Sequence, residues 1–132
     1  MALVTEASVA GRTLVSYNLH LESRGDDRLR CSQLNECLDD AIRYNPTTLL
    51  ILAGDFNLDV FRTAAAHAVM QARFRSVFSS QPSRTTLGSL FDRGRAIDWI
   101  FTCGPVRGDS ACVHSSVLAS DHYPLSVGVY LI

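Results

Sequence analysis

The chain has 132 residues, with 13 acids against 12 bases, a formal net charge of −1 and 47% hydrophobic residues. At roughly 150 residues per domain that is one domain or less, apolar enough to bury a core and without the basic excess of a nonspecific nucleic-acid binder. All 12 bases are arginine, which excludes Schiff-base chemistry and a phosphate-loop lysine.

The N-terminus lacks the basic and apolar succession of a signal peptide. No run reaches the roughly 18 apolar residues that span a membrane. A cytoplasmic location is therefore expected. Cys31, Cys37, Cys103 and Cys112 stand outside CxxC spacing, which speaks against zinc or thioredoxin-like chemistry and for free thiols.

Residues 2–9 read as a strand and Ala10-Gly11-Arg12 as a tight turn. Residues 13–21 alternate: Val15, Tyr17, Leu19 and Leu21 share one face, and Ser16, Asn18 and His20 the other. Residues 26–44 read as a helix, with Leu34, Leu38, Ala41 and Ile42 at helical spacing, acids in the first turn and Asn45-Pro46 as its stop. Arg24, Arg28 and Arg30 read as a solvated group around its start. Residues 49–53 form a continuous apolar run, as expected of a strand covered on both faces, and Gly54-Asp55-Phe56-Asn57 follows directly. Phe61, Ala64, Ala65, Ala68, Val69 and Ala72 mark a second helix with Asp59 at its cap. Residues 79–89 read as loop and 95–102 as a strand. Gly104-Pro105 and Gly108-Asp109 read as turn, and residues 112–118 and 123–132 as strands around Ala119-Ser120-Asp121-His122. Strands interleaved with two helices predict a mixed α/β fold.

Polar groups interrupt these strands at four places. Asn18 and His20 lie near one strand end, and Asp55 and Asn57 leave another. Asp98 stands between Ile97 and Trp99, where a buried carboxylate needs a partner. Asp121 and His122 precede the last strand. If that strand runs antiparallel to the others, all four places meet on one rim of the sheet, where α/β proteins bind ligands. The set supplies hard oxygen ligands for Mg²⁺, a base for water, donors for a charged oxygen, and a carboxylate to orient an imidazole. Thr85 and Thr86, in the loop leading to Asp98, would line the cleft. Arg95 would either face substrate phosphate or pair with an acid, and Glu22 would pair locally. His67, His114 and Trp99 read as structural or surface residues.

Four segments, Tyr-Asn-Leu-His-Leu-Glu (17–22), Gly-Asp-Phe-Asn (54–57), Ala-Ile-Asp-Trp-Ile-Phe (96–101) and Ser-Asp-His-Tyr-Pro-Leu (120–125), stand in an order that resembles the endonuclease/exonuclease/phosphatase family. That family includes DNase I-like nucleases, abasic-site endonucleases, inositol polyphosphate phosphatases and neutral sphingomyelinases. The resemblance implies a four-layer αββα sandwich and Mg²⁺-dependent hydrolysis of phosphoester bonds, with Mn²⁺ as an alternative ion. It implies that Asp55 orients or deprotonates the attacking water and that Asn57 helps hold it and the phosphoryl oxygens. His122 would contact the scissile phosphate, with Asp98 orienting it. Asn18 and His20 match the phosphate-side asparagine and histidine, and Asp121, with Asp55, would bind metal. The implied substrate is a nucleic acid, a phosphoinositide or a small phosphate ester.

The same resemblance implies an earlier half that carries an asparagine on a first strand and a metal-binding glutamate. Glu6 and Glu36 do not stand in a matching context. Residues 1–132 are accordingly expected to be the C-terminal portion of such a domain, completed by an upstream segment or a second chain. A truncated remnant that binds phosphate or a partner without catalysis is the competing expectation.

Overall fold

A computed structural model describes residues 1–90 and 93–132. Strands β1 (Ala2–Val9) and β2 (Arg12–His20) form an antiparallel hairpin. Its loop residues Ala10 and Gly11 have φ of 50° and 74°, the left-handed pair that matches the twist of a tight hairpin. The expected alternation in β2 is present. Val15, Tyr17 and Leu19 are buried, while Asn18 and His20 are exposed on the other face.

Helix α1 (Asp27–Ala41) is capped by Asp26, whose carboxylate accepts from Leu29 N at 2.9 Å. It ends short of Tyr44 because Arg43 N and Tyr44 N turn back to Asp40 O and Ala41 O. Arg30 departs from the solvated role expected of it. It is buried, donating from Nε to Glu22 O, from Nη2 to Ser23 O and from Nη1 to Asp27. The planar guanidinium spreads its donors over three nitrogens in a fixed fork, so each reaches a different acceptor and ties the loop after β2 to the helix.

Strand β3 (Leu49–Asp55) lies parallel to β2. The expected second helix is split into a 3₁₀ turn (Val60–Arg62) and a shorter α2 (Ala65–Gln71). Thr63 is extended between them, and its Oγ1 accepts from Ala65 N at 3.4 Å. Asp59 therefore precedes the 3₁₀ turn and makes no side-chain cap bond, pairing instead with Arg62. Short β4 (Arg75–Ser76) and β5 (Asp98–Cys103) complete a five-stranded sheet of order β1-β2-β3-β5-β4, with β5 antiparallel to both its neighbours.

Strand β5 begins at Asp98 rather than at residue 95. The preceding backbone is taken by the loop at residues 85–86: Thr85 N and Thr86 N both donate to Arg95 O. Strands β6 (Val106–Val113) and β7 (Leu125–Leu131) pair with each other in a separate antiparallel sheet. The last strand is thus outside the main sheet. Gly108 and Asp109, expected as a turn, lie inside β6, and the register shift between Asp109 and Cys112, with Ser110 at φ 55°, absorbs one extra residue as a bulge. All four cysteines are free. No helix among the described residues is long and apolar enough to cross a membrane.

The core lies between one face of the main sheet and the helices. Register places Val15, Leu50 and Cys103 in one row, Tyr17, Leu52 and Phe101 in the next, and Leu19, Gly54 and Trp99 in the third. Leu34, Leu38, Ala41, Ala65 and Val69 of the helices cover them. Trp99 anchors the end of β5: Nε1 donates to Leu58 O at 3.1 Å, and its ring meets Phe61 edge-on at 5.1 Å between centroids. The other face is covered less, because Ile51 and Ala53 are only half-buried where a strand buried on both faces was expected. The second sheet approaches this side at Gly108, where an added Cβ would lie 2.6 Å from Val77 Cγ1.

Gly54 sets how closely β2 and β3 approach. Its φ is 131°, and a Cβ there would overlap the carbonyl oxygen of Leu19. Replacing it adds both backbone strain and a clash with main chain. Gly54→Ala is expected to lower stability by more than about 1 kcal/mol, measured by urea unfolding. An unchanged midpoint and slope would show that the two strands can part at no cost.

Candidate active site

The sheet register assembles the site. His20 pairs with Asp55 across β2 and β3, and Asp55 pairs with Asp98 across β3 and β5. Residues opposite one another on adjacent strands share a face. The three side chains thus form one row at the strand ends, on the face away from the helices. Asn18 shares this face one row further in, opposite Ala53.

Asp55 is fixed by the turn that follows it. Its Oδ1 accepts from Asn57 N at 2.7 Å. Asn57 has φ 48°, a left-handed conformation that asparagine tolerates. Its Nδ2 donates to Leu21 O at 3.1 Å and to Asp55 Oδ2 at 3.3 Å. The Asn57 amide therefore braces Asp55 against the end of β2. Arg95 takes a third course from the two expected of it, donating from Nη2 to Asn57 O at 3.1 Å. Glu22 pairs locally as expected, accepting from Arg24 N.

His122 reaches the row from the loop before β7. An isolated antiparallel bridge to Thr86 holds it there. Its Nδ1 lies 3.0 Å from both oxygens of Asp98. A carboxylate accepts only, so Nδ1 carries the proton and Nε2 faces outward. That Nε2 is 3.9 Å from Asp55 Oδ2, and His20 Nε2 approaches the same oxygen to 3.7 Å. Thr85 Oγ1, fully buried, donates to Asp98 Oδ2 at 2.6 Å. Thr85 was expected to line the cleft. It lies beneath the site instead, and its link to Asp98 spans thirteen residues with no local pattern to announce it.

Burial pushes the Asp98 pKa up, against hydrogen bonds from Thr85 and His122. Burial alone would lower the His122 pKa. The Asp98 hydrogen bond and the charges of Asp98, Asp55 and Asp121 outweigh it and hold the imidazole above its ordinary value. The folded chain thus binds this proton more tightly than the unfolded chain. The resulting stability is complete below pH of about 6.5 and is lost as pH rises through the folded midpoint.

Asp55, Asp98 and His122 each offer one ligand atom, and these atoms lie within 4.8 Å of one another. Asp98 and His122 Nδ1 already engage each other, so Asp55 is the most open oxygen donor. One or two carboxylates, completed by substrate phosphate and water, is the donor set Mg²⁺ takes, and this site fits it. Asp121 lies outside that group. It is exposed, its Oδ1 accepts from Ser120 Oγ at 3.2 Å, and its carbonyl accepts from Leu87 N.

The profile of the endonuclease/exonuclease/phosphatase family matches residues 8–122. The chain belongs to that family. Solved structures share the family's fold with it. D. rerio TDP2 complexed with single-strand DNA product superimposes with a TM-score of 0.75 at 20% identity, covering 98% of this chain and 61% of that one. Truncated Caenorhabditis elegans TDP2 gives 0.74 at 20% identity, covering 99% and 59%. A family protein of Leptotrichia buccalis C-1013-b gives 0.74 at 17% identity, covering 98% and 53%. The chain thus spans little more than half the length of these proteins. No curated protein matches it by sequence.

Asp98→Asn removes the negative charge that raises the imidazole and leaves only a neutral amide beside it. The His122 titration midpoint, followed by NMR of its ring protons, is expected to fall in the folded variant. An unchanged midpoint would show that Asp98 does not hold the ring.

Proposed function

We propose that this chain carries the catalytic face of a metal-dependent phosphoester hydrolase. The observation that carries the reading is the convergence of Asp55 with the Asp98–His122 pair at the strand ends. In-line attack on phosphorus needs an oriented water on one side and positive charge for the equatorial oxygens. Asp55 accepts the proton of that water, and Asn57 holds the carboxylate in place for it. His122, protonated to higher pH than free imidazole, donates from Nε2 to a phosphoryl oxygen. Asp98 fixes the ring so that Nε2 is the nitrogen presented. His20 and Asn18 contact the phosphate from the β2 side. Asp55 would hold Mg²⁺, or Mn²⁺ in its place, together with substrate oxygens and water, and the ion would polarise the phosphoryl group. Asp121, exposed and outside the ligand group, would join it only if its side chain turned inward.

A nucleic acid is the favoured substrate, because a similarly folded protein, D. rerio TDP2, is seen with a single-strand DNA product. A net charge of −1 implies recognition local to the rim rather than over a broad surface. Phosphodiesterase action on lipid headgroups and phosphatase action on small esters are the substrate alternatives.

A second reading rests on the open face of the main sheet. Leu3 of β1 is 58% exposed, and Ile51, Ala53 and Ile100 are half-buried. Apolar surface of this kind marks an association site. The working enzyme is then this partial domain joined by a further polypeptide that covers the face and supplies the remaining metal-binding acid. Without that polypeptide the chain binds phosphate but does not cleave it.

Purified chain with Mg²⁺ is expected to cleave plasmid DNA or a small phosphodiester and to lose that activity to a chelator. His122→Ala should reduce the rate by about a hundredfold or more while the chain still folds, with some stability lost at Asp98. Full activity in a folded His122→Ala protein would remove His122 from the site. Phosphate binding with no turnover of any ester would favour the partial-domain reading.

A further inference from the structure

Thr85 has more hydrogen bonds than a lining residue needs, and they leave its hydroxyl no freedom. A hydroxyl has one proton and two lone pairs. Ile97 N and Asp98 N both donate to Thr85 Oγ1 at 3.0 Å, which occupies both lone pairs. The proton must then go outward. Its candidate acceptors are Asp98 Oδ2 at 2.6 Å and Arg95 O at 3.3 Å. The shorter bond, to a charged acceptor, is the stronger. The side chain is fully buried from bulk solvent.

The main chain of the same segment grips the other half of the pair. Thr85 O accepts from Tyr123 N at 2.8 Å, and Leu87 N donates to Asp121 O at 2.7 Å. Thr86 bridges to His122 between them. Asp98 belongs to the main sheet and His122 to the loop that leads into the second one. Residues 85–87 join the two.

We propose that Thr85 is a positioning residue: its hydroxyl sets the rotamer of Asp98 and its backbone sets the height of the His122 loop, so that Nδ1 meets the carboxylate and Nε2 faces the substrate. Removing the hydroxyl frees Asp98 to turn away from the ring and leaves His122 without its tautomer-fixing acceptor. As a catalytic statement this rests on the phosphoester-hydrolase reading. As a statement about the Asp98–His122 pair it does not.

The test compares wild type, Thr85→Ser and Thr85→Val. Nitrogen-15 NMR of His122 above its titration midpoint reads the tautomer directly. Wild type and Thr85→Ser are expected to hold Nδ1–H, and Thr85→Val to shift toward the Nε2–H form. Where turnover is measurable, kcat should fall about 10- to 100-fold in Thr85→Val, the scale for lost orienting partners of functional histidines, with KM little changed and Thr85→Ser near wild type. A folded Thr85→Val that keeps the Nδ1–H tautomer overturns the proposal. A tautomer shift in a protein whose wild type cleaves no phosphoester upholds the positioning role and removes the reading of this chain as a hydrolase on its own. Thr85→Val also orphans two buried N–H groups, so a second measurement leaves Thr85 intact. The Thr85 hydroxyl proton should exchange slowly and resonate downfield in wild type and move upfield in Asp98→Asn. A fast-exchanging hydroxyl proton in wild type overturns the proposal as well.

Discussion

The site depends on one constraint, the pairing of β3 between a parallel and an antiparallel neighbour. That register sets His20, Asp55 and Asp98 side by side at the strand ends. A slip of one residue on either side of β3 would turn its side chains to the opposite face and scatter the row. Burial of Val15, Tyr17, Leu19, Leu52, Trp99 and Phe101 against the helices holds the register. Gly54 permits the last step, the close approach of β3 to β2 just before Asp55. Core packing on one face of the sheet therefore determines the geometry of the chemistry on the other.

The second requirement is that His122 reach this row from a strand that is not in the sheet. β7 pairs only with β6. The link is the loop at residues 85–87, whose backbone bonds hold both Arg95 and the segment around His122. The electrostatics follow from that placement. Asp98 is buried enough to resist ionisation, yet two hydrogen bonds favour its anion. The anion in turn keeps the imidazole protonated beyond its ordinary range. The protonated ring and the carboxylate of Asp55, 3.9 Å apart, set a donor and an acceptor side by side at the rim.

Much of this was legible in the residues themselves. Period-two alternation in β2 announced its buried face and placed Asn18 with His20. The isolated Asp98 in an apolar strand announced a partner, and the partner is His122. Asp55 and Asn57 stood where a strand gives way to a turn. What stayed hidden depends on tertiary context. Arg30 looked solvated, because nothing local shows that three acceptors converge on it. Gly108-Asp109 carried turn chemistry, yet a neighbouring strand and a bulge absorbed it. The interruption of the second helix came from Thr63, whose hydroxyl competes for a helical N–H. Asp121 stands beside His122 in sequence, yet its side chain turns outward while its carbonyl is held by Leu87.

The most direct test of the central claim, that Asp55 and the Asp98–His122 pair form one anion- and metal-facing site, is a paramagnetic titration. Mn²⁺ takes the same oxygen ligands as Mg²⁺ and broadens the resonances near it. Sub-stoichiometric Mn²⁺ should broaden the ring protons of His122 and His20 while His67, exposed on α2, stays sharp, and Asp55→Asn should abolish the selectivity. Equal broadening of His67, or selectivity that survives Asp55→Asn, would contradict the account.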